Sequence, residues 1–83
     1  EYMLLYREEH GLLQDMQVYK ERNLSAEAVT LKAETDRITF TRIFTIEKNN
    51  NSWYEVETNT GEIYYIYSDG YMDEYVADLS HAG

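Results

Sequence analysis

Ile38-Thr39-Phe40-Thr41-Arg42-Ile43-Phe44-Thr45-Ile46, then Trp53-Tyr54-Glu55-Val56-Glu57, then Glu62-Ile63-Tyr64-Tyr65-Ile66-Tyr67 are the segments that decide the fold. The first alternates with a period of two: Ile38, Phe40, Arg42, Phe44 and Ile46 share one parity, and Thr39, Thr41, Ile43 and Thr45 the other. β-branched and aromatic residues fill both sets, which suits a half-buried strand. Asn49-Asn50-Asn51-Ser52 separates the first segment from the second, and Asn59-Thr60-Gly61 the second from the third. Such clusters punctuate strands, so the stretch predicts a three-stranded meander. In its middle strand Tyr54 and Val56 take one face, and Trp53, Glu55 and Glu57 the other. The third segment is apolar on both faces, which predicts cover on both sides or an aromatic outer surface.

Outward from the meander the pattern is still strand-like. Met16, Val18 and Lys20 alternate with Gln17 and Tyr19 before the polar run Glu21-Arg22-Asn23. Val29, Leu31 and Ala33 alternate with Thr30 and Lys32, and Glu34-Thr35-Asp36 closes that segment with turn-prone residues. Residues 1–14 read as an N-terminal arm of two conformations. Tyr2, Leu5, Tyr6, Leu12, Leu13 and Met16 fit one helical face, while residues 2–6 equally fit a short strand. Gly11 marks a break, because a glycine in a helix interior costs about 1 kcal/mol relative to alanine. After Ser68-Asp69-Gly70, helical spacing of Tyr71, Met72, Tyr75, Val76 and Leu79 competes with a closing strand. The expected organisation is an arm over 1–14, one domain over 15–79, and a fraying tail over 80–83.

Eighty-three residues leave room for one small domain. There is no cysteine, which excludes a disulfide framework, a thiolate zinc site and a cysteine nucleophile. Export and the cytosol both tolerate such a chain. No apolar run reaches signal-peptide or membrane-spanning length, and a start at Glu1 suggests processing or a piece of a longer protein. Net charge is −9, and Lys and Arg are absent after Lys48, where Glu55, Glu57, Glu62, Asp69, Asp73, Glu74 and Asp78 fall. A nucleic-acid backbone would be repelled. The acidic portion either attracts a cationic partner or keeps a tyrosine-rich surface soluble.

Val18-Tyr19-Lys20-Glu21, Ser25-Ala26-Glu27-Ala28-Val29-Thr30-Leu31-Lys32, the long segment 38–46, Trp53-Tyr54-Glu55-Val56 and Thr60-Gly61-Glu62-Ile63-Tyr64-Tyr65-Ile66-Tyr67-Ser68 follow one another in a familiar order. Together they resemble a bacterial SH3-like (SH3b) domain over about two-thirds of the chain. The resemblance implies an all-β, small five-stranded SH3-like barrel. It also implies a periplasmic, cell-surface or secreted binding module, with a peptide or cell-wall peptide held in an aromatic groove.

Within that expectation Trp53 is the first candidate for ligand contact, since it lies on the charged face of its strand and tryptophan is enriched in binding hot spots. Capping the core is its alternative role. Tyr19 and Tyr65 are expected to complete the groove, with Glu55 and Glu57 selecting a positively charged group such as an amine. His10 and His81 lack partner spacing for catalysis or metal binding. Asp69-Gly70 with Asp73-Glu74 lacks the alternating oxygens of a calcium loop. The serines have no base, and no phosphate-cradling glycine loop occurs, so no catalytic residue, metal or cofactor is expected. Asn23-Leu24-Ser25 and Asn50-Asn51-Ser52 are glycosylation sequons by spelling only. A non-enzymatic module is therefore expected. Its rivals are an acidic interaction or inhibitor domain facing a basic partner and a structural spacer. Edge pairing into a dimer is open.

Overall fold

A computed structural model describes residues 2–4, 9–46 and 51–68. Among them are seven strands: β1 (Met3–Leu4), β2 (Glu9–Gly11), β3 (Met16–Tyr19), β4 (Ala28–Leu31), β5 (Arg37–Ile46), β6 (Asn51–Thr58) and β7 (Ile63–Ser68). They make one antiparallel sheet in the order β1, β5, β6, β7, β3, β4, with β2 joining β5 beside β1. The protein is thus all-β, and its meander is β5–β6–β7. The pairing path is open among the described residues, ending at β1 and β2 on one side and at β4 on the other.

Local chemistry explains the turns. Asn59-Thr60-Gly61 forms a three-residue hairpin loop in which Gly61 takes φ +86°, a left-handed conformation that costs an L side chain energy. Gly61 N–H donates to the Thr58 carbonyl at 2.9 Å, while the Thr58 hydroxyl accepts the N–H of Glu62 at 3.1 Å. Between β3 and β4, the Asn23 side-chain oxygen accepts Ser25 N–H at 2.8 Å and its carbonyl accepts Ala26 N–H at 3.0 Å. An asparagine turn therefore shapes this loop.

The main core draws on β3, β4, β5, β6 and β7, together with Leu12. Val18, Ile38 and Val56 are fully buried, and Leu12, Met16, Leu31, Phe40, Tyr64 and Ile66 pack with them. Leu31 of β4 shares this cluster with Ile38 and Phe40 of β5, a strand it does not pair with, so the sheet curves round a common core. Burying each of the three central side chains contributes about 2 kcal/mol.

One residue overturns the simple parity of β5. Phe40 pairs with Val56 but Arg42 pairs with Glu55, so Thr41 is an extra residue in a β-bulge. The expectation that Ile38, Phe40, Arg42 and Phe44 share a face fails there. Ile38 and Phe40 stay with Val56 on the core side, whereas Arg42 and Phe44 emerge on the opposite face with Glu55 and Trp53. A one-residue shift exchanges every later side chain between faces, and it keeps the Arg42 charge out of an apolar interior.

Within the N-terminal segment, Met3–Leu4 and Glu9–Gly11 are strands. Met3 pairs with Ile43, Leu4 with Arg42, and Glu9, His10 and Gly11 with Thr39, Ile38 and Arg37. His10 is buried, its ring edge-on to Phe40 at 5.5 Å. The expectations for residues 69–83, including the acidic turn, the helix-or-strand segment, His81 and the tail, lie outside the described residues, as do Asn49 and Asn50 of the expected loop, whereas Asn51 and Ser52 open β6.

Candidate functional site

The bulge gives the meander a second ordered face. Register places Phe44, Trp53 and Tyr67 in one row across β5, β6 and β7, and Arg42, Glu55 and Tyr65 in the next. Tyr19 then pairs with Tyr65 and extends the second row onto β3. The apolar character of both faces of β7 thus reflects an aromatic outer surface.

These rings interlock edge to face. Trp53 meets Tyr67 at 5.1 Å and Tyr19 at 5.7 Å, and Phe44 lies 5.5 Å from Tyr2 and 6.5 Å from Tyr65. Tilted and edge contacts in this range are the favoured aromatic geometry. Two guanidinium groups cover the cluster: Arg22 stands 3.7 Å over Phe44 and Arg42 4.7 Å over Tyr2. Trp53 is only 7% exposed, yet it stands outside the main core, on the opposite face. It is neither a free surface tryptophan nor part of the main core.

Glu55 holds this face together. Its side chain is 12% exposed, and one carboxylate oxygen accepts the Thr41 hydroxyl at 2.8 Å. The other accepts the Tyr65 hydroxyl at 3.2 Å and faces Arg42 at 3.7 Å. Both oxygens have partners, as a largely buried charge requires. Burial, then the Glu55 charge and the hydrogen bond to it, pushes the Tyr65 phenol above its ordinary value. Burial alone does the same to Tyr54 on the core side.

Beside the cluster lies an open pocket of about 520 Å³ lined by Lys20, Glu21, Arg22, Asn23, Trp53 and Tyr65. Trp53 and Tyr65 form its aromatic side and the loop after β3 its other, the loop closed at its base by Lys20 N–H donating to the Glu27 carbonyl at 3.0 Å and tied to the sheet by Arg22 over Phe44.

The structure therefore brings together Trp53, Tyr19 and Tyr65, the three expected groove aromatics. Glu55 stands behind Tyr65, bonded internally. Glu57 shares the face but pairs with Thr39 and Ile63, one pleat repeat farther from Trp53, and does not line the pocket. Arg22, Lys20 and Asn23 carry no sequence signal beyond their polar run, since the contact with Phe44 depends on how the sheet bends. Arg42 does carry one, a charge at an apolar parity position. No family model, curated protein or solved structure matches this chain.

Proposed function

We propose that this chain is a non-enzymatic binding module of the SH3-like type that captures a peptide in the pocket floored by Trp53 and Tyr65. The observation that carries the reading is that pocket itself: an aromatic floor on a rigid meander, walled by a polar loop. Rigid rings supply contact area without ordering cost on binding, and a neighbouring loop supplies hydrogen-bonding groups.

Two further features support the SH3-like reading. A β-meander follows a β-hairpin, and the Tyr19–Tyr65 pairing brings the hairpin against the last strand of the meander. A five-stranded barrel of β3–β7 is the corresponding proposal. The resemblance alone supplies the finer details: a peptide or cell-wall peptide as ligand, and a periplasmic, cell-surface or secreted location. An acid-rich chain with this pocket is ill-suited to nucleic acid.

The test is an amide NMR titration of the intact chain with cell-wall peptide fragments, following the Trp53 indole at low and moderate salt. The expected result is shifts clustered on Trp53, Tyr19 and Tyr65 that persist in salt, weakened about tenfold by Trp53→Phe, which trims the ring but keeps its packing. Trp53→Ala is the wrong variant, because truncating so buried a ring costs about 3–5 kcal/mol of stability. Silence at these residues, or shifts confined to acidic positions and abolished by salt, would overturn the proposal in favour of an acidic interaction domain or a spacer.

A further inference from the structure

Four of the five lysines and arginines among the described residues are in ion pairs. Lys20 meets Glu27 at 3.2 Å, Lys32 meets Asp15 at 3.4 Å, Arg37 meets Glu9 at 2.8 Å and Arg42 meets Glu55 at 3.7 Å. Among the described residues, no carboxylate lies within that distance of Arg22. In a chain with 16 acidic and 7 basic residues, carboxylates are abundant, so Arg22 is the exception among its described neighbours.

Arg22 is also held in a defined pose. Its guanidinium stacks on Phe44 at 3.7 Å, which occupies the flat face and leaves the N–H donors around the rim. It lines the pocket whose floor is Trp53 and Tyr65. A carboxylate in the guanidinium plane can take two parallel N–H···O bonds. Lys20 adds a second positive charge to the lining and Glu21 one negative charge. Lys20 is already paired with Glu27, so Arg22 is the lining cation that has no carboxylate beside it among the described residues.

We propose that the pocket binds the free C-terminus of a peptide, its carboxylate on Arg22 and its last side chain, apolar or aromatic, on Trp53 and Tyr65. The α-carboxylate and that side chain branch from one carbon, so a single residue reaches both walls. An internal aspartate or glutamate would spend its side chain on Arg22 and leave the aromatic floor to a neighbour. This rests on the peptide-capture reading and reverses the charge preference expected of Glu55 and Glu57. The Glu55 carboxylate already serves Thr41, Tyr65 and Arg42.

The experiment compares three probes on the intact chain by the Trp53 indole signal: N-acetyl-Ala-Phe as the free acid, the same dipeptide as its C-terminal amide, and N-acetyl-Glu-Phe amide. The acid is expected to bind about tenfold more tightly than either amide. Arg22→Gln, a change at an exposed loop residue checked by an unchanged circular dichroism spectrum, is expected to bring the acid-to-amide affinity ratio from about ten to about one. Equal binding of acid and amide, with the Trp53 signal moving in both, overturns the C-terminus proposal and leaves peptide capture standing. A preference for the Glu-containing amide likewise overturns it, in favour of side-chain carboxylates. If no probe moves Trp53 at millimolar concentration, both proposals fall.

Discussion

Thr41 separates the two faces of this protein. At a bulge the ladder is interrupted, and the Thr41 hydroxyl shares its one proton between the Glu55 carbonyl at 3.0 Å and the Glu55 carboxylate at 2.8 Å. Thr41 is itself buried, so this polar group has no water to fall back on. Thr41→Val keeps the shape and removes the hydroxyl, and it is expected to cost about 1–2 kcal/mol in urea unfolding. Because Glu55 also orients Tyr65, the variant should broaden or shift the Tyr65 ring resonances; an unchanged midpoint with unchanged Tyr65 signals would show that the bulge does not depend on this bond. Little in the sequence announces Thr41, since threonine is at home in any strand. The misplaced charge of Arg42 is the visible sign that parity has to change near it.

At the scale of elements, β6 is the strand everything else leans on. It is paired along its length by β5 on one side and by β7 on the other, and it carries Val56 into the core and Trp53 into the aromatic face. β1 is two residues on an edge, with Met3 and Leu4 both exposed, and β4 is the opposite edge. Native-state hydrogen exchange is therefore expected to be slowest in the centre of β6 and fastest in β1, with the outward amides of β4 closer to β1 than to β6. Protection spread evenly over all seven strands would contradict this hierarchy. The meander is legible because a period of two over six or more residues is a local signal, and the Asn59-Thr60-Gly61 loop advertises its left-handed glycine. β1 is legible only as one of two readings of residues 2–6, and β2 is not legible. Two or three residues carry no usable period, and their strand conformation comes from the open edge of β5.

For the whole molecule, charge dominates. A net charge of −9 on 83 residues makes the folded chain repel itself, and the exposed ion pairs of Lys20, Lys32 and Arg37 offset little of that. Screening shortens the reach of that repulsion from about 30 Å at 0.01 M salt to about 10 Å at 0.1 M. Thermal midpoints are accordingly expected to rise by roughly 4–8 °C between 10 and 200 mM sodium chloride, which corresponds to about 1 kcal/mol for a domain of this size. A midpoint that falls with salt would mean that the ion pairs outweigh the repulsion.

The amino-acid pattern by itself determined the all-β class, the meander, the strand β3 and most of β4, because alternation and turn chemistry are properties of neighbours in the chain. It also nominated Trp53, Tyr19 and Tyr65, since aromatic side chains on strand surfaces must find company. Only the tertiary structure decided that a bulge turns Phe44 toward Trp53, that Glu55 is an internal anchor, and that Arg22 arrives over Phe44 with no carboxylate beside it among the described residues. Those facts depend on register between strands and on the bending of the sheet, and contacts between residues far apart in sequence leave no local period to read.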